Sequence, residues 1–196
     1  MERAVLKEKV VPAFVFFALW LDGWFYPLLL LPVIYVLVVE KRDLGWLGFR
    51  KQRLLASTIL GLLVSSVVIA VYYPTFLYYV PPTKARPPSL HDVFTDVVWY
   101  PLYEEIAYRA FFLAHIAGLR GSERSRRNAL ANLAQSLLFV AIHWHHVISG
   151  TPLVLLSVFL LALLNGFVFL KTRNLLGCLL SHSAVNGFAL AIRYAP

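Results

Sequence analysis

The sequence is short of charge and almost without sulfur. Charged residues fill 14% of its 196 positions, where a soluble domain carries about 25%. Its one cysteine, Cys178, cannot close an internal disulfide or build a cysteine-rich zinc site. Strand-like alternation is missing, and a membrane barrel needs many short alternating segments. No repeat, low-complexity tract or nucleic-acid-binding motif occurs. Gly-x-Ser-x-Gly and His-Glu-x-x-His are absent too. A serine hydrolase would therefore lack its nucleophile turn, and a zinc protease its commonest helix signature. What is present is apolar: 60% of residues are hydrophobic, against about 45–50% in a soluble domain. That excess is too large for one soluble core and excludes a disordered chain. It predicts an integral membrane protein. Backbone in lipid must satisfy its own hydrogen bonds, so the expected fold is all-α, a polytopic bundle of about six to seven helices in one domain over 1–196.

A hydrocarbon core of about 30 Å takes roughly 20 helical residues to cross. Val10 to Val39 is too long for one straight span. Asp22-Gly23 interrupt it, and it holds Pro12, Pro27 and Pro32. A hairpin of two short helices is expected there, with no cleavable signal peptide. Leu54 to Tyr73 is a clean span, and Pro81-Pro82 and Pro87-Pro88 mark a loop. Further spans are expected at Asp92–Ala117, Asn128–Val147, Pro152–Leu170 and Leu175–Ala195. Basic residues cluster in alternate connections. Segment 40–53 holds Lys41, Arg42, Arg50, Lys51 and Arg53; 118–127 holds four arginines; 171–173 holds Lys171 and Arg173. The positive-inside rule places these three on the cytoplasmic side of a multi-pass protein of the cell membrane. The net charge of +8 thus reports orientation and not nucleic acid.

Against this apolar background the polar residues stand out. Each ionised side chain at a helix centre costs about 2.5–3.5 kcal/mol on insertion scales. Glu104, Glu105 and Arg109 fall within six positions. Successive helical residues turn by about 100°, so Glu105 and Arg109 share a face and can pair. Glu104 points elsewhere and is left as a free carboxylate, placed among low-dielectric walls as a general base. A second group is Phe139 and His143, four apart on one face; His145 and His146, nearer the boundary, read as interfacial histidines. A third is His182 and Asn186, again four apart. Taken singly, each group reads as well as helix-to-helix hydrogen bonding. Together, Glu, two His and Asn from three helices make a set that could activate water and stabilise an oxyanion.

The order Glu-Glu-x-x-x-Arg, Phe-x-x-x-His and His-x-x-x-Asn resembles the CPBP (ABI) family. These are the CAAX prenyl proteases and bacteriocin-processing intramembrane endopeptidases. Leu47-Gly48-Phe49-Arg50 and Thr172-Arg173-Asn174-Leu175 are also similar to family members. The resemblance covers about 45–196, and the first 40 residues add nothing to it. Ala110 stands where members usually have Gly, and Tyr108 where they usually have Phe. The resemblance implies a glutamate-dependent intramembrane endopeptidase acting on a membrane-linked peptide: a prenylated C-terminus, a C-terminal sorting tail or a leader. It implies that Glu104 and His143 activate water, that His182 and Asn186 stabilise the oxyanion, and that Glu105 and Arg109 are mainly structural. No metal or cofactor is expected, and no nucleic-acid partner.

Three rival readings compete. Glu104, His143 and His182 could supply a His₂-carboxylate zinc set, in which Asn186 would have no task. Cys178 and His182 could form a thiol pair, although two residues on one helix rarely meet one substrate atom. A transporter, immunity or scaffold protein would also carry mid-membrane ionisable residues. Counting residues from the centres of the spans puts the site near the midplane, leaning toward the non-cytoplasmic side.

Overall fold

The computed structural model describes residues 30–79, 87–116, 124–149 and 151–193. The hairpin expected in Val10–Val39 lies outside these residues, except for its last ten positions. Seven helices and no strand form among the described residues. Helix α1 (Leu30–Ile34) runs into a π-turn, Tyr35–Val39. A 3₁₀ turn, Leu44–Leu47, leads to α2 (Leu54–Tyr79). Helix α3 is a continuous rod over 90–116. In it α-turns (Leu90–Val93, Tyr100–Glu104, Ala114–Ile116) alternate with wider π-turns (Phe94–Trp99, Glu105–Leu113). Then follow α4 (Arg124–Ile142), a short α5 (His145–Ile148), α6 (Val154–Thr172) and α7 (Leu176–Arg193).

By length and composition, two helices among the described residues qualify to cross a membrane: α2 through Leu54–Thr75, and α6. The others carry the polar groups that the sequence flagged. Their burial shows what solvent they are built for. On α4, Asn132, Gln135, Ser136 and Phe139 recur at helical spacing and are buried, while Leu130, Leu133 and Leu137 are exposed. The polar stripe faces in and the leucines face out, the reverse of a water-soluble helix. Gln135 Nε2 donates to Asn132 Oδ1 and to the Ala162 carbonyl, and Asn132 Nδ2 donates to the Leu163 carbonyl. This ladder joins α4 to α6.

Helix α7 packs on α2 and α6. The α2–α7 approach depends on small residues: a Cβ on Gly61 would stand 2.2 Å from the Gly177 carbonyl oxygen. In lipid there is no hydrophobic force between helices, so such close packing supplies the attraction. At one end of the bundle the connection before α2 and the connection before α7 are laced together. Gly48, at φ +91°, lets its carbonyl accept from Leu175 N (3.1 Å). Asn174 Nδ2 donates to the carbonyls of Arg50 and Gln52, and Arg50 Nε donates to the Arg173 carbonyl. Leu47–Arg50 and Thr172–Leu175, far apart in sequence, thus form one polar clasp. It places the 40–53 and 171–173 basic segments at the same end of the bundle.

Candidate active site

Helix α3 begins with a capping box in which Ser89 and Asp92 satisfy each other's backbone N–H groups. Its turns then widen, and Glu105 to Leu113 form a π-stretch, a geometry that recurs at functional sites. Glu105 and Arg109 remain on one face: Arg109 Nε lies 3.2 Å from Glu105 Oε2, and both side chains are fully buried. The Arg109 guanidinium stacks 4.5 Å over the Phe139 ring, which uses that phenylalanine as a wall for the charge.

The other oxygen of Glu105 does more than the sequence suggests. Glu105 Oε1 accepts from His182 Nδ1 at 2.8 Å and from Asn165 Nδ2 at 3.1 Å. Asn165 is held in turn by Ser181 Oγ, 2.5 Å from its Oδ1. Glu105 therefore bridges α3, α6 and α7 and orients His182. With Nδ1–H given to Glu105, His182 turns Nε2 toward Glu104, whose Oε2 is 3.6 Å away. Glu104 is the less enclosed of the two carboxylates, with its side chain 14% exposed against 0% for Glu105. Sequence reasoning missed Asn165 and Ser181. The available signal is Asn165, an amide in the middle of the apolar α6 run.

His143 sits where α4 stops. The helix ends at Ile142, and His143-Trp144 form a turn before α5. The expected span through Val147 is thus broken at the histidine itself. His143 Nδ1 donates to the Phe139 carbonyl at 2.8 Å, so the neutral ring keeps its proton on Nδ1 and offers Nε2 as an acceptor. The Phe139 ring centre is 4.6 Å from that of His143 and 6.0 Å from that of His182, so the two histidines flank one aromatic ring. His146 stacks parallel to His143 at 6.2 Å and bonds Thr151 Oγ1. No three His, Cys, Asp or Glu side chains among the described residues gather as a metal-ligating group.

Asn186 lies one turn beyond His182 and reaches back to α3, donating Nδ2 to the Asp96 carbonyl at 2.9 Å. The sequence explains why that carbonyl takes a side-chain donor. Tyr100 N–H bonds the Thr95 carbonyl five residues back. The next donor in that register would be Pro101, which has no N–H. Asn186 supplies a hydrogen that the proline lacks. Cys178 is buried, with its thiol on the Asn165 carbonyl, and serves as a packing residue in α7.

All of these groups, from Asp96 to Asn186, fall inside residues 86–188, which match the family described as Type II CAAX prenyl endopeptidase Rce1-like. The chain belongs to this family. It is thus a CAAX-protease-like intramembrane endopeptidase at family level, membrane-integral and acting on membrane-linked substrates. The Rce1-like region takes in Glu104, Glu105, Arg109, Phe139, His143, His182 and Asn186 and also the Thr172–Leu175 half of the clasp. The Leu47–Arg50 half precedes it. No match was found among curated proteins or among solved structures.

Proposed function

We propose that this Rce1-like protein is a glutamate-dependent endopeptidase of the cell membrane, with Glu104 and His143 activating water. The supporting observation is the pinning of His182: Glu105 holds its Nδ1, and its Nε2 faces Glu104 across 3.6 Å. In this reading Glu104 takes a proton from water, with His143 Nε2 as a second acceptor for that water, and the water oxygen adds to the scissile carbonyl carbon. Negative charge grows on the carbonyl oxygen. His182, oriented by Glu105, presents Nε2–H to it. Asn186 has two amide hydrogens, one committed to Asp96, and the second serves the oxyanion. The proton held at Glu104 then passes to the leaving nitrogen as the C–N bond breaks, which yields a carboxylic acid and an amine; the acid's proton then moves to the amine, leaving a carboxylate and an ammonium. Glu105, Arg109, Phe139 and Asn165 hold the geometry.

The substrate has its own membrane segment or lipid anchor, and the scissile bond lies in or just outside the outer half of the bilayer. The depth count over the spans and the position of His143 at the far end of α4 from the arginine-rich 118–127 segment support this placement. The activity is tested with purified full-length protein and a membrane-linked peptide under strong chelators. Cleavage by the parent chain and a rate lowered about 100-fold or more in Glu104→Gln is the expected result. A tightly bound metal lost in His143→Ala would favour the zinc reading. The depth is tested with Trp144→Cys in intact cells, where buried Cys178 gives little background. Labelling by an impermeant thiol reagent is expected from outside; labelling only after lysis would reverse the orientation.

A further inference from the structure

At the clasp end, away from the catalytic groups, an open groove of about 990 Å³ lies between the end of α1 and the connection to α2. Lys41, Arg42, Arg50 and Arg173 line it, with Asp43 as the one carboxylate. That carboxylate is already engaged, since Asp43 Oδ1 accepts from Trp46 N at 3.2 Å. Arg42 stacks on Trp46 at 4.8 Å and stays 44% exposed, 3.6 Å from Glu40. Arg50 donates through Nε to the Arg173 carbonyl. Lys41 is exposed and sits at φ 53°, a left-handed conformation that lysine rarely adopts. Three of the groove's flanks are exposed and apolar: Leu37 of the Tyr35–Val39 π-turn, Leu44 and Phe49. Cations next to outward-facing apolar side chains, at the ends of membrane helices, fit the boundary where acyl chains meet headgroups.

We propose that this groove binds the phosphate of an anionic phospholipid headgroup, with Lys41 and Arg42 as the principal contacts and the acyl chains running down over Leu37 and Phe49. The chemistry recognised is a phosphate monoanion or dianion beside four cations. The apolar flank selects the lipid-borne form over free phosphate. The groove is a separate site from the Glu104 centre, so its occupancy does not depend on the protease reading.

The test is native mass spectrometry of the full-length protein released from detergent containing phosphatidylglycerol or phosphatidylcholine. One retained phosphatidylglycerol is expected, bound more tightly than phosphatidylcholine. A basic side chain near an anionic surface contributes about 1 kcal/mol, so Lys41→Gln and Arg42→Gln should each weaken the first phosphatidylglycerol about fivefold and the double variant about 25-fold. Arg126→Gln, an exposed arginine of α4 outside the groove, should leave it unchanged. Arg42 also pairs with Glu40. If Arg42→Gln fails to fold, exposed Lys41→Gln decides the matter alone. Equal retention of both lipids, unaltered binding in Lys41→Gln, or an equal loss in Arg126→Gln would overturn the proposal. Displacement of the lipid by an equal concentration of inorganic phosphate would overturn the lipid assignment and leave a free-anion site.

Discussion

Helix α2 buries Ser57, Gly61, Val64, Ser65 and Val68 and exposes Leu55, Ile59, Leu62, Leu63 and Val67. Helix α3 buries a carboxylate and a guanidinium at zero exposure. Both are membrane-protein helices, yet different forces position them. Around α2 lipid tails are as apolar as leucine, so only small residues and a few hydroxyls distinguish one rotation from another. Around α3 the buried charges are fixed by specific neighbours: Glu105 Oε1 takes His182 and Asn165, and Arg109 lies between Glu105 and the Phe139 ring, since unpartnered buried polar groups are costly. The difference teaches that in lipid the apolar residues choose the phase, while the polar residues choose the arrangement.

The sharpest way to break this contrast is within α3. Glu104→Gln should lower the cleavage rate about 10²–10⁴-fold, the usual worth of a positioned acid–base group, with melting in detergent nearly unchanged. Glu105→Gln should do the reverse first. It strips Arg109 of its counter-charge and His182 of its anchor, and breaking a buried pair costs about 3–5 kcal/mol. Thermal unfolding and turnover measured on the same preparations separate the two. If Glu105→Gln melts like the parent, the buried ion pair is not what holds α3.

Next comes Asn186. If Asn186 serves the oxyanion as proposed, Asn186→Ala should cost about 10²–10³ in rate. Pro101→Ala restores a backbone N–H that competes for the Asp96 carbonyl and loosens Asn186. Its rate loss should be real but below about 10²-fold, the scale of a small misplacement. Equal rates for Pro101→Ala and the parent would detach the proline from the site.

On α2 the effects should shrink. Gly61→Ala forces a Cβ onto the Gly177 backbone and should cost about 1–3 kcal/mol of stability, read by thermal unfolding in detergent. Leu63→Ala, on the lipid side, should change stability by about 0.5 kcal/mol or less. A larger loss would show that Leu63 has a protein partner and that α2 obeys the same rule as α3.

Helix spans of α2 and α6 were legible to within a few residues, because length and apolarity are properties of the segment itself. So was the Glu105–Arg109 pairing, since four residues along a helix return to one face. The break of α4 at His143 was not legible: Ile142, His143 and Trp144 carry no glycine or proline to announce a stop. The π-turns of α3 were equally hidden, and the Asp96 carbonyl that Asn186 serves comes out of that altered register. The clasp residues drew notice only through resemblance, without any hint that the two runs touch.

By itself, then, the sequence determined the solvent of this protein, its all-α class and the short list of polar residues that had to be accounted for. Local geometry and transfer energies are carried along the chain and need no partner to be read. Only the tertiary structure decided that His182, 77 residues from Glu105, uses Nδ1 on it and turns Nε2 to Glu104. It alone brought Asn165 and Ser181 into the cluster and committed one hydrogen of Asn186 to Asp96. Those bonds depend on how each helix is rotated against its neighbours. A uniformly apolar surround leaves that rotation open until buried polar atoms on different helices meet.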